Sequence, residues 1–368
     1  MNKFKFFLCA SSLAIFTLGG IVSIAAPDVE FSEDENRILQ PLPEIDGKAI
    51  VDGDFQLQMN DYLTDRAAFR NEFMRIYAFS QKLMGKSEYN GVYVCDDDWI
   101  IEVYNEPENT VQICDKFNKA AEKTGLSCSL MLIPTAVSIY DDVLPPNVSF
   151  KTTQRDVCDY FYSNTEMNCI DLWDTFENNR NDVQLYYKTD HHWTTDAAYL
   201  AYKEYCSTLS FEPLDKSDFD IEIVSDKFLG TTYSKALSAF PSYDEIVAFK
   251  QDMTGITVTY PQGEGELYAD EFLEKKDKYS YFLNSNQSQV IIENENVDNG
   301  RVLLIVKDSY ANCLVPFLMN HFEKTVVLDT RYYRNGASFA AEECGATDIL
   351  FCFNLNTLDT DTAIAGIY

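Results

Sequence analysis

Histidine is scarce in this chain: three occur in 368 residues, and two of them, His191 and His192, are adjacent. Chemistry that needs an imidazole must therefore use "KTDHHWTTDAAY", residues 188–199, or His321. Basic residues are few as well. Lys and Arg number 29 against 59 Asp and Glu, and the formal charge of −30 is spread along the chain rather than gathered in a tail. Such a surface repels nucleic acid and anionic lipid, so nucleic-acid binding is excluded. Only 15 glycines occur, none in a GxGxxG or GxxxxGK arrangement, which removes the phosphate-cradling loops. The ten cysteines form no CxxC pair, against a zinc ribbon or a thioredoxin-type motif. There are no internal repeats, and after residue 26 no apolar run is long enough to span a bilayer.

What is present points to an exported globular protein. Apolar residues make up 46% of the chain, enough for a substantial core. The N-terminus reads "MNKFKFFLCASSLAIFTLGGIVSIAAPD": Lys3 and Lys5, then an uncharged apolar run from Phe6 to Ala26. That is an export segment, either a signal peptide cleaved near Ser23, Ala25 and Ala26 or an uncleaved anchor. Positive charge on its N-terminal side places the remainder outside the cytoplasm, secreted or held at the membrane. Nine cysteines remain after Cys9, an odd number, so at least one thiol is free. Cys128 in "LSCSLML" and Cys352 in "ILFCFNL" read as small buried hydrophobes.

Residues 27–52 are polar and proline-spotted, a linker, and residues 53–368 form the body. Apolar spacing from Asp54 to Lys86 predicts two amphipathic helices. "YNGVYVCDDDWIIEVYN" predicts a hairpin. Strand and helix then alternate. "SCSLMLIPT", "MNCIDLWD", "RVLLIVKD", "TVVLDT" and "DILFCFN" read as strands. Between them, Thr110–Thr124, "TTQRDVCDYFYSN", "DAAYLAYKEYCSTL", "YANCLVPFLMNHF" and "ASFAAEEC" read as helices. Alternation of this kind predicts an α/β fold with a mainly parallel sheet covered on both faces. Between about 210 and 297 the pattern becomes antiparallel, a small insertion on that body.

Two stretches carry candidate chemistry. In "RVLLIVKDSYANCLVPFL" the strand ends at Asp308-Ser309, where a helix begins, and that edge of a parallel sheet is where ligands bind. A serine there has free helix N–H groups beside it to stabilise an oxyanion; it also has the composition of an ordinary N-cap. A serine nucleophile needs a base, and His321, about three turns along the following helix, is too far to serve. In an extended "TDHHW", Asp190 and His192 face one way and His191 the other, so Asp190 can accept the Nδ1–H of His192. The same residues in a turn ahead of a helix would have no catalytic meaning. Asp190, His191 and His192 are also zinc or manganese ligand types, though adjacent strand residues point apart.

"YYKTDHHWTTDAAY" is the motif that names the DHHW family of exported bacterial proteins. The chain resembles that family also in "FSEDENRILQPLP", "LTDRAAFRNEF", "NGVYV", "LIPTAVSIYDDVLP", "FLGTTYSKAL", "VKDSYANCLVPFL" and "LDTRYY", nearly its whole length past residue 30. The family in turn is similar to the alginate O-acetyltransferases, exported proteins with a permuted SGNH-hydrolase-like fold. The resemblance implies a three-layer SGNH-like body and a triad of Ser309 as nucleophile, His192 as base and Asp190 as orienting acid, with no metal and no cofactor. It also implies a cell-surface polysaccharide as substrate and a membrane protein that delivers the acyl group; oligomeric state is undetermined. The motif here is "KDSY", without the glycine usual in SGNH enzymes, so the second oxyanion donor is unassigned. Gly230, His191 and Tyr310 are candidates for oxyanion or substrate contacts. Arg331 is a candidate for an acyl or sugar oxygen, with a structural ion pair as its alternative. Two other classes stay open: a metal-dependent hydrolase using Asp190 and His192, and a non-catalytic glycan-binding or assembly protein of the same fold.

Overall fold

Val302–Lys307 is a run of branched apolar residues with no polar alternation, as a strand buried on both faces requires, and Leu303 to Val306 are fully buried. It pairs in parallel with Lys324–Leu328 on one side and Asp348–Asn354 on the other. The molecule is a computed structural model that describes residues 3–25, 29–32, 37–237, 242–358, 364, 366 and 367. Ala26 and Pro27, at the expected cleavage position, lie outside the described residues. The chain forms two compact units, Met1–Ser87 with Ser234–Phe240, and Glu88–Tyr233 with Pro241–Tyr368.

The larger unit is built on an eight-stranded sheet. Its order is Gly263–Gly265, Ile256–Tyr260, Gln289–Asn294, Lys324–Leu328, Val302–Lys307, Asp348–Asn354, Ser127–Ile133, Asn168–Cys169. The last five run parallel, and the first three are joined antiparallel. The fold is α/β with a mainly parallel central sheet, as the alternation of strands and helices implied. After Lys324–Leu328 the chain crosses back over Val302–Lys307 to reach Asp348–Asn354, so the carboxyl end of Val302–Lys307 lies where connections diverge.

Helices cover this sheet where their apolar stripes meet it. Phe117 of Thr110–Thr124 packs edge-on against Phe351 and Phe353, two residues apart on one strand face. Thr153 caps Gln154–Ser163 in a reciprocal pair with Asp156, and Thr194 caps Thr195–Leu209. Tyr199 and Tyr202 of that last helix pack on Phe317.

Four expectations need correction. The antiparallel region is of two kinds: Asp220–Phe228 and Asp244–Lys250 form a separate ribbon, whereas Ile256–Tyr260 and Gln289–Asn294 extend the central sheet, using the open edge of Lys324–Leu328. "MNCIDLWD" is a strand only at Asn168–Cys169, because the Asp171 side chain accepts the Trp173 amide and turns the chain into the helix Trp173–Asn179. The segment after Ser309 is not one helix. It is a 3-10 turn, Ser309–Cys313, a short helix Val315–Leu318 containing Pro316, and a second 3-10 turn, Met319–His321. Pro316 has no N–H to donate into a continuous ladder. Finally, "TDHHW" is a turn rather than an extended segment, with consequences described below.

The smaller unit holds the two expected helices, Asp54–Asp65 and Arg70–Leu83. Within residues 27–52 it also has a short helix, Gly47–Asp52, capped by Asp46. Its first element is the helix Lys3–Ala25. Among the described residues, no helix is long and apolar enough to cross a membrane. The nine cysteines from Cys95 to Cys352 are free thiols, most of them buried.

Candidate active site

The loop between Leu185 and Thr194 closes on itself through Tyr187 N–H to the His192 carbonyl and Thr194 N–H to the Leu185 carbonyl, at 3.2 and 2.9 Å. Its tip is pinned from outside. The buried Asp244 carboxylate accepts the amides of Lys188 and Thr189 at 2.9 and 2.8 Å, the Thr189 hydroxyl at 2.7 Å and Gln184 Nε2 at 3.0 Å. Ile100 and Tyr233 donate their amides to the Lys188 and Thr189 carbonyls. Asp190 then turns the chain by accepting the His192 amide on its own Oδ1 at 3.0 Å.

That turn brings the expected residues together. The Asp190 carboxylate takes the His192 Nδ1–H at 2.5 Å, and His192 Nε2 meets Ser309 Oγ at 2.8 Å. With Nδ1 donating to a carboxylate, Nε2 is the free acceptor, and the serine hydroxyl donates to it. Asp190 and His192 are 3% and 6% exposed, so the contact forms away from bulk water.

Electrostatics suit the arrangement. Burial is the largest influence on His192 and pushes its imidazole below the usual 6.5; the His191 charge acts in the same direction, and Asp190 opposes it. His192 is therefore neutral and able to take a proton near neutral pH. Burial alone would raise the Asp190 carboxyl, but electrostatic attraction to the His191 and His192 imidazoles and the hydrogen bonds from His192 and the Thr231 amide hold it well below the usual carboxylate range. Asp190 is ionised.

His191 does not point away from this pair, as an extended strand would require. Its Nδ1 lies 3.6 Å from Asp190 Oδ1, and its ring centroid is 3.8 Å from that of His192. The turn brings both imidazoles to one side. His191 Nδ1 meets Thr231 Oγ1 at 2.5 Å, and Thr231 gives its hydroxyl and its amide to Asp190 Oδ2 at 3.0 and 2.7 Å. Asp190, His191 and His192 each offer a ligand atom, all within 4.8 Å of one another, so the donor set fits a divalent cation. Both ring nitrogens of His192 are, however, engaged by Asp190 and Ser309.

Gly230 is next to the acid rather than at the serine. Its amide donates to Thr189 Oγ1 at 3.2 Å, and a methyl group added to it would lie 2.2 Å from Asp190 Cβ and Oδ2. The position serves close packing against Asp190. Gly230→Ala is expected to push the carboxylate out of line and lower turnover about 100-fold, as a misplacement near 1 Å does. Steady-state kinetics beside a thermal melt would check this; an alanine variant with parental turnover would contradict it.

The nucleophile's turn is built from its neighbours. Asp308 accepts the Tyr310 amide on Oδ1, and the amide and side chain of Asn354 on Oδ2, fastening two strand ends together. Tyr310 is buried, and its hydroxyl donates to the His191 carbonyl. Trp193 of the motif donates its indole N–H to the Tyr310 carbonyl at 2.8 Å, tying the histidine loop to the serine turn. Arg331 is the structural alternative, a two-pronged pair with the buried Asp329 at 2.8 and 2.5 Å. Lys307 lies 3.6 Å from the same carboxylate, and burial pulls its ammonium below the ordinary range.

Sequence reasoning missed Thr231, Asp244, Asn354 and Tyr279. Tyr279 lies flat on the His192 ring, centroids 3.7 Å apart and planes 10° from parallel. None has a local signature, because each reaches the site from a distant segment. Trp193 alone had a signal, a large indole set in a polar loop.

A family model described as DHHW protein matches residues 83–328. A DHHW family protein from Eubacterium siraeum is similar at 27% identity and a TM-score of 0.66, over 76% of this chain and 96% of its own. PatB1 of Bacillus cereus, solved with a sulfonyl adduct, is similar at 22% identity and a TM-score of 0.62, over 74% of this chain and 97% of its own. The O-acetyltransferase domain of Pseudomonas putida AlgJ is more distant, at 14% identity and a TM-score of 0.48, over 74% and 93%. No curated protein matches the chain.

Proposed function

The chain belongs to the DHHW protein family, and from that premise and the geometry of its site we propose that it is a serine-dependent O-acetyltransferase or acetylesterase. It works outside the cytoplasm, secreted or anchored by its N-terminal segment, on a cell-envelope or exported polysaccharide. The observation that carries this is the unbroken chain from Ser309 Oγ through His192 to Asp190, at 2.8 and 2.5 Å. Acetyl as the group and glycan as the acceptor rest on the family's resemblance to the alginate O-acetyltransferases.

His192 Nε2 takes the Ser309 proton as Oγ attacks the acyl carbonyl, and the tetrahedral oxyanion forms beside the Ser309 amide. As the intermediate collapses, the bond to the donor's leaving oxygen breaks, and His192 returns its proton to that oxygen. Acetyl-Ser309 remains. A sugar hydroxyl, or water, then gives its proton to His192 and attacks the acetyl carbonyl, restoring Ser309. Asp190 stays ionised throughout and stabilises the imidazolium. The donor would come from a membrane protein that carries acyl groups outward.

The convergence of Asp190, His191 and His192 favours a second reading, a metal-dependent hydrolase. One experiment separates the two. The full chain is supplied with an activated acetyl ester, with and without a neutral glycan acceptor, in the presence and absence of chelator. A serine mechanism gives turnover indifferent to chelator, and acetylated glycan marks a transferase where free acetate alone marks an esterase. Loss of turnover with chelator, restored by zinc or manganese, would replace it with the metal reading. No turnover and no acetyl-enzyme would leave a glycan-binding protein of the same fold.

A further inference from the structure

We infer that Tyr279 is a positioning residue that sets the imidazole of His192 against the nucleophile, through its ring on one partner and its hydroxyl on the other. This rests on the acyl-transfer reading above and adds a residue to it. Tyr279 stands in the turn Lys278–Tyr281, about thirty residues before the serine, in a stretch with no catalytic signature. Its ring covers one face of His192 at 3.7 Å, nearly parallel. Its hydroxyl is 3.2 Å from both the Ser309 and the Tyr310 carbonyls and 3.3 Å from Cys313 Sγ. One rigid side chain therefore touches the base and the backbone of the nucleophile's residue at once. An imidazole held in its own plane by Asp190 can still tilt about that hydrogen bond, and a flat aromatic face removes the tilt.

The loop that supplies Tyr279 is braced to hold it there. Its far end reaches the same serine turn, where Asn286 Oδ1 accepts Lys307 Nζ at 3.0 Å and Asn312 Nδ2 at 3.3 Å. Between the two anchors Leu283, Asn284 and Ser285 all have positive φ, at 55°, 50° and 68°. Such a run is costly for residues with side chains and persists only where the surroundings fix it.

The stack also keeps water from His192, whose depressed basicity comes first from burial. The charged and titratable groups facing this ring are Asp190 and His191 from its own loop, Glu102 from the strand Ile100–Glu102, and Tyr310 from the serine turn. Removing the Tyr279 ring changes none of them and opens one face to solvent.

The test compares Tyr279→Phe and Tyr279→Leu in the full chain with an activated acetyl ester, rates being expressed per titrated acylating site. Tyr279→Phe keeps the ring and should fall no more than about tenfold, the loss of one hydrogen bond. Tyr279→Leu should fall about 100-fold in kcat with KM unchanged. If the leucine variant does not fold, Tyr279→Met, which fills more of the ring's volume, takes its place. A leucine or methionine variant with parental kcat per site overturns the inference, even if it melts earlier. The NMR shifts of the His192 ring protons, displaced by the ring current of a stacked aromatic, decide the stack separately: they should change without the ring whether or not Ser309 turns over. A parent that never acylates would sink the acyl-transfer reading instead.

Discussion

Ser309→Ala is expected to abolish acetyl transfer while leaving the fold in place. Removing the nucleophile of a triad lowers turnover roughly 10⁶-fold in a comparable enzyme, because no other group in the site can form the acyl intermediate. Here the remaining hydroxyls near His192 are committed elsewhere: Tyr279 and Tyr310 donate to backbone carbonyls, and Thr231 to Asp190. The structural cost is small, since the Oγ makes one hydrogen bond, to His192, worth about 1 kcal/mol. Circular dichroism and melting should match the parent within a few degrees. An alanine variant that still forms a covalent acetyl adduct would show the nucleophile to be another residue.

Asp190→Asn should be the next largest loss, about 10⁴-fold in kcat, with little change in KM. The carboxylate oxygens accept four donors: His192 N and Nδ1 on Oδ1, Thr231 N and Oγ1 on Oδ2. An amide has one oxygen to offer. If that oxygen keeps the Thr231 pair, the NH₂ faces His192 Nδ1 and forces the opposite tautomer, with the proton on Nε2 where Ser309 needs an acceptor. If it faces His192, the NH₂ confronts the Thr231 amide, and a buried donor is left unpaired at about 1–3 kcal/mol. The first orientation removes activity through the tautomer and the second only removes the charge that stabilises the imidazolium; each leaves one buried backbone N–H, of His192 or of Thr231, without its acceptor. The size of the rate loss shows which occurs, and a melt reads the cost of the unpaired N–H. Parental turnover in Asp190→Asn would mean that His192 is oriented by something else.

The two stretches that bear the site were legible in the sequence because histidine is rare. With His321 placed beyond reach, one serine at a strand end and one acid two positions before a histidine made Ser309, His192 and Asp190 candidates, beside an N-cap, a plain turn and a metal pair. The resemblance to the DHHW family implied their roles. The spacing rule that paired Asp190 with His192 did not describe the backbone correctly. The pairing holds because Asp190 caps its own turn, and the same turn brings His191 alongside, which strand alternation forbids. The helix after Ser309 was overestimated in a way Pro316 could have signalled. The strands of the parallel half were readable as unbroken apolar runs. The assignment of Ile256–Tyr260 and Gln289–Asn294 to the same sheet was not, because alternation tells that a strand is half-buried and says nothing of which edge it joins. Gly230, Thr231, Asp244 and Tyr279 act through contacts with segments about 40 to 90 residues away, and such contacts leave no local pattern.

The central claim is that Ser309 carries the acetyl group. Intact mass of the full chain after brief exposure to an activated acetyl ester, followed by peptide mapping, reads this directly. The account predicts one added acetyl group, on the peptide spanning Ser309, absent from Ser309→Ala and strongly reduced in Asp190→Asn. An unmodified chain that nonetheless hydrolyses the ester, or an acetyl group mapped to a different residue, would contradict it.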